Sequence, residues 1–203
     1  MANDLRGGDV AADLSASVRA RLPATQGFDR VGLDLVCTQV AVELQSLDAE
    51  AFGEQFRSGL QRLTDASGID AMFVALLDNA GTLDSVFAGR STFSACNPEV
   101  LQGRSLEEFP WIRKQLGHLK LIEIKDSAQP TEAQAQDATQ LAELKIAAVL
   151  AVGFEIRGEP GGILGICSSQ PRPDWGASLS LALKLIGASC ASGLERVRLS
   201  DAL

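Results

Sequence analysis

"GEPGGILGICSSQPRPDW", residues 158–175, decides how the chain is read. Ile163, Leu164 and Ile166 make an apolar run broken by glycines. Pro171 and Pro173 then stop it, and a long amphipathic segment starts at Ala177. An apolar run of this length bounded by turn residues is a buried strand. The two prolines force the chain out of the sheet, because proline lacks the N–H a ladder needs. Asp174 or Gly176 is expected to start the exit helix. Glycine in a strand lets another backbone or a ligand come close.

Upstream of this stretch, "IAAVLAVGFEI" (146–156) is a second apolar strand, joined to it through the turn Arg157-Gly158-Glu159-Pro160. "IDAMFVALLD" (69–78) and "TLDSVFAG" (82–89) flank Asn79-Ala80-Gly81 and read as a hairpin. "LKLIEI" (119–124) is a further strand. Between 90 and 117 the chain is irregular, with short helices starting at Asn97-Pro98-Glu99 and at Pro110. The second of these is expected to bury Trp111, Ile112 and Leu116. "PTEAQAQDATQLAELK" (130–145) is a loop entering a helix.

Helices dominate both ends. Leu33, Val36, Val40, Leu44 and Leu47 repeat at spacings of three and four, with Val31, Leu35 and Val42 forming a second face. Asp48 is placed to cap a helix lined by Phe52, Phe56, Leu60 and Leu63, which Gly68 ends. In the last segment Leu179, Leu183, Ile186, Cys190, Leu194 and Val197 form one stripe, with Leu181, Leu185 and Ala188 beside it. Strands joined by tight turns, with helices gathered to one face, define an α+β fold. The expectation is an antiparallel sheet of five or six strands, with helices 29–47 and 177–199 packed together on one side. Residues 1–27 read as a flexible N-terminal arm and 28–203 as a single domain.

The 203 residues are 46% hydrophobic and 22% charged, enough to bury a core. A net charge of −8 argues against a nucleic-acid surface, which lysine and arginine dominate. The start lacks the basic and apolar pattern of a signal peptide, and the apolar run 146–154 is too short to span a membrane. The expected location is the cytoplasm, with no membrane partner and with reduced thiols.

Two blocks carry a family resemblance: "FPWIRKQLG" (109–117) before strand 119–124, and the run from Ala142 to Trp175 with its hairpin and Pro-Arg-Pro-Asp-Trp corner. Over roughly 49–198 the chain resembles a GAF domain, the sensor module related to PAS domains. The Pro110–Leu116 helix is similar to that of GAF domains in bacterial histidine kinases and cyclic-di-GMP enzymes. The resemblance implies a regulatory module that senses a small molecule between the sheet and the segment 91–145. The second apolar faces of the two terminal helices predict a parallel homodimer through them, with Gly187 and Gly193 permitting close helix approach, relaying to an output domain or partner. The alternative is a dimerisation and interaction module with no ligand.

The candidate pocket is Arg90, Phe93, Cys96, Phe109, Trp111 and Ile122. Arg90 could pair with an anionic ligand or simply end a strand. Phe93, Phe109 and Trp111 could floor a pocket for a planar ligand or fill the core. Cys96 lies where some GAF relatives attach a bilin, but Asn97 follows it in place of histidine. The cyclic-nucleotide signature of other relatives is absent.

No cofactor and no catalytic residue are expected. His118 stands alone and reads as a turn residue, and no Cys/His cluster has metal-ligand spacing. The methionine-sulfoxide-reducing relatives use clustered cysteines. Cys37, Cys96, Cys167 and Cys190 read as too dispersed for that chemistry.

Overall fold

The computed structural model describes residues 30–117 and 119–200, with the side chains of 30, 31 and 200 outside the description. The N-terminal arm, His118 and the side chain of Val31 therefore lie outside the described residues. In chain order, α1 (Arg30–Gln45) and α2 (Phe52–Ser67) precede β1 (Ala71–Leu77) and β2 (Leu83–Arg90). Two 3₁₀ turns (Pro98–Leu101 and Leu106–Glu108) and α3 (Pro110–Gln115) lead into β3 (Leu121–Ile124). A third 3₁₀ turn (Glu132–Gln134) and α4 (Ala135–Glu143) then precede β4 (Ala148–Ile156), β5 (Glu159–Ser168) and α5 (Ala177–Ser200).

The five strands form one sheet in the order β2-β1-β5-β4-β3, and every neighbouring pair is antiparallel. The long apolar runs in β1, β4 and β5 have a simple cause: all three strands are interior and are covered on both faces. Met72, Val74, Leu150, Val152, Phe154, Leu164 and Ile166 share one core with α2 and α5 on one face, and α1 packs on those two helices. Phe73, Ala75, Val149, Ala151, Ile163 and Cys167 face the 3₁₀ turns, α3 and α4 on the other.

Arg157 and Gly158 alone make the β4–β5 turn, with φ of 56° and 79°, the double left-handed geometry of a two-residue hairpin. Glu159 and Pro160 belong to the strand instead, paired with Ile156 and Glu155. The glycines of β5 do not admit a ligand. A Cβ at Gly162 would lie 2.5 Å from Phe154 Cζ, and one at Gly165 would lie 2.7 Å from Phe73 Cζ. The protein's own aromatic rings fill that space.

At the end of β5, Asp70 Oδ2 accepts hydrogen bonds from the Ser168 and Ser169 hydroxyls and from Ser169 N–H, at 2.8–3.0 Å. Trp175 is buried, with the Arg172 guanidinium 5.9 Å from its ring centre. Asp174 accepts from Gly176 N–H at 2.8 Å and shapes the bend just before α5. Asp48 acts in the same way. It accepts from Glu50 N–H two residues on, and Ala51 takes the position before α2.

The first stripe of each terminal helix is core. Leu33, Val40, Leu44 and Leu47 are buried, as are Leu179, Leu183, Ile186, Cys190, Leu194 and Val197. The α5 segment is long and apolar enough to cross a membrane, but 56% of its most apolar 18-residue window is buried inside the fold, where it serves as a core helix. Gly193 is where α1 and α5 touch: a Cβ there would lie 1.8 Å from Leu44 O. Gly187 faces Leu119 and Val152. Both glycines therefore give close approach within one chain.

Candidate functional site

The sheet face away from the terminal helices holds a cavity of about 40 Å³. Phe73, Ala75, Ile122, Val149, Ala151 and Ile163 form its floor, and Leu101, Leu106, Phe109, Ile112 and Leu141 are among the residues that close it from above. Every lining side chain is apolar.

Local sequence builds the roof. Asn97 Oδ1 accepts from Glu99 N–H, and Pro98 opens the first 3₁₀ turn, which presents Leu101 inward. Segment 103–105 then docks on β2, through Gly103 N–H to Leu83 O at 2.8 Å and Leu83 N–H to Arg104 O at 2.9 Å. Ser105 and Glu108 form a reciprocal cap around Leu106.

The buried carboxylate of Asp137, on α4, accepts from Trp111 N–H at 3.1 Å and Ile112 N–H at 2.7 Å. These donors have no partner inside their own helix, so Asp137 satisfies the start of α3 and ties the two roof helices together. Nothing in the acidic, Ala-rich run around it marks Asp137 as buried.

Phe109 and Ile122 line the cavity, and the other four candidates do not. Arg90 ends β2 with its backbone N–H and C=O both bound by the Gln61 side chain, at 3.0 and 3.1 Å. Its Nε donates to Cys96 O at 3.1 Å, so the guanidinium holds the following loop in place. Phe93 caps a tight turn closed by Ser94 N–H to Ser91 O, and it is 97% exposed. It floors nothing. Trp111 is half-buried at the edge of the second core, because Ile112, next to it on α3, takes the inward direction. Leu116 is likewise half-buried.

Cys96 is fully buried against the same core, where its thiol neighbours that of Cys167. Two of the four cysteines are therefore neighbours, which their sequence spacing conceals. Among the described residues no group of three or more His, Cys, Asp or Glu side chains comes together to hold a metal.

No protein-family model and no curated protein matches the chain. Solved structures do. A phycoerythrobilin-bound GAF domain from a cyanobacterial phytochrome is similar at a TM-score of 0.65 and 14% identity, over 84% of this chain and 98% of that one. A phycocyanobilin-bound GAF domain from a cyanobacterial phytochrome follows at 0.64 and 15%, over 83% and 96%. A far-red-absorbing dark state with bound biliverdin matches at 0.62 and 12%, over 80% and 99%. The protein is an α+β protein built on an open antiparallel sheet. Its fold is that of GAF domains.

Proposed function

We propose that this chain is a regulatory GAF-fold module of a signal-transduction protein, working as a homodimer through α1 and α5 and relaying its state along α5 to an output domain or partner. The observation that carries this reading is the second apolar stripe of the two terminal helices. Leu35 and Val42 on α1 are each 59% exposed, and Leu181 and Leu185 on α5 are 70% and 45% exposed. Their first stripes are already buried within the fold, so these residues remain for a second chain, and soluble monomers seldom leave such a patch open.

The cavity supports the ligand-free form of this reading. Sites for drug- or cofactor-sized molecules occupy roughly 300–1,000 Å³ and present a few convergent polar groups. A space of about 40 Å³ with an apolar lining has no room for a bilin of the kind bound by the similar structures. A sensing role would require Leu101, Leu106 and Phe109 to move outward.

Leu44 and Leu183 are core residues at 2% and 1% exposure, so charging them would unfold the chain rather than divide a dimer. The informative variant is Leu181→Glu with Leu185→Glu. In sedimentation at micromolar concentration the wild type should run as two chains and this variant as one, with unchanged circular dichroism. A wild type that runs as one chain throughout would refute the proposal.

A further inference from the structure

One row across the sheet brings together groups that the sequence separates widely. Ala71 pairs with Arg90 on one side and with Cys167 on the other, and Cys167 pairs with Val149. Residues directly opposite in an antiparallel sheet point to the same face, so Arg90, Ala71 and Cys167 share the cavity face. Ala71 offers only a methyl group in the middle of that row. The chain leaving Arg90 turns back over it, held by Ser91 N–H to Asp70 O at 2.9 Å and by Arg90 Nε to Cys96 O at 3.1 Å. Cys96 N–H donates to Ser94 Oγ at 3.0 Å. The Cys96 side chain thereby lands against Cys167, both fully buried in the same apolar cluster.

We propose that Cys96 and Cys167 are a redox-responsive pair that peroxide closes to a disulfide, cross-linking the 91–97 loop to the interior strand β5. The balance is two thiols and one hydrogen peroxide giving one disulfide and two waters. Cys96 attacks the O–O bond, becoming a sulfenic acid and releasing the first water. The Cys167 sulfur then displaces the hydroxyl as the second water. Both thiols are fully buried, so this order is the one that an opening of the 91–97 loop would give. Cys96 sits on a short loop whose tip, Phe93, projects into solvent, whereas Cys167 is fixed between β1 and β4.

The Cys96 sulfur, as acceptor for the Cys167 S–H, and then burial push the Cys167 thiol well above the ordinary cysteine range, with nearby Asp70 adding to the rise and Arg90 opposing it. A thiol held protonated in this way reacts slowly at rest. The cross-link would lie one residue before Ser168, which Asp70 binds, and close to the prolines that launch α5. It would stiffen the part of the sheet from which α5 departs.

The test treats the full chain with excess hydrogen peroxide, then denatures it, alkylates with iodoacetamide and maps the peptides. The expected result is a single bridge between Cys96 and Cys167, with Cys37 and Cys190 still alkylated and all four thiols restored by dithiothreitol. The wild type should gain on the order of several °C in Tm on oxidation, and Cys96→Ser and Cys167→Ser should each abolish the bridge and the gain. The peptide map of the wild type decides the matter even if a serine variant folds poorly. Four alkylated thiols after peroxide, a bridge to Cys37 or Cys190, or over-oxidation of Cys96 without a bridge would each overturn the proposal.

Discussion

Gly193→Ala sets two opposing effects against each other, and the geometry says which prevails. Glycine inside a helix costs about 0.8–1.0 kcal/mol relative to alanine, so propensity alone predicts a more stable protein. Gly193, however, is the point where α5 meets α1. An added Cβ would stand 1.8 Å from Leu44 O and 3.0 Å from Leu47 Cδ1. A carbon and a carbonyl oxygen settle at roughly 3.3–3.6 Å, so the helices must part by about 1.5 Å. The obstruction is backbone, which cannot rotate away. Separation would loosen Leu44 and Leu194, both nearly fully buried. Overpacking of this kind costs about 1–3 kcal/mol, more where backbone must shift. We expect a net loss of about 1–2 kcal/mol, or a Tm lower by about 2–8 °C for a chain of this size. Urea melts followed by circular dichroism measure it. Gly187→Ala is the matched control. Its new methyl would meet only the side-chain tips of Leu119 and Val152, at 3.1 Å, so it should be near neutral. A Gly193→Ala protein as stable as wild type, or more stable, would refute the close α1–α5 contact.

The cavity roof supplies a second pair of variants. Phe109→Ala should cost about 3–5 kcal/mol as a core deletion, while Trp111→Ala, half-buried, should cost about half that in the same melts. Asp137→Ala removes the acceptor of two buried N–H groups and should cost roughly 2–3 kcal/mol. A change under 0.5 kcal/mol would mean that water replaces the carboxylate. The Asp78 carboxyl is lowered from 3.8, chiefly by the Thr82 N–H and also by that of Ala80, which it accepts in the β1–β2 turn. A native pKa below the unfolded one gives a contribution that is complete above the unfolded value and lost as pH falls through the native value. The stability gap between wild type and Asp78→Ala should therefore be present at pH 7 and close as pH falls below the ordinary aspartate range.

What the sequence made legible was whatever its periodicity encodes. The apolar runs of β1, β4 and β5, the Asp78–Thr82 turn and both stripes of each terminal helix follow from local spacing and burial. The cavity was not legible in the same way. Much of its roof comes from 3₁₀ turns of three or four residues and the six-residue α3, too short for a pattern to say which side chain points in. Phe93 and Phe109 look alike in sequence, yet one tops a turn in solvent and the other closes the core. Trp111 and Ile112 are adjacent on a single helical turn, where only one can face the sheet. The Cys96–Cys167 contact depends on β1 pairing with β5, a pairing between distant segments that neither cysteine's neighbourhood reveals. Gly187 and Gly193 read as sites of close helix approach between chains, and the fold uses both internally.

Native mass spectrometry of the purified wild-type chain tests the central claim most directly, because one spectrum reports both the assembly and anything it carries. The account predicts two chains with no bound small molecule at stoichiometric occupancy. A single chain, or a complex holding one bilin-sized adduct per chain, would contradict it.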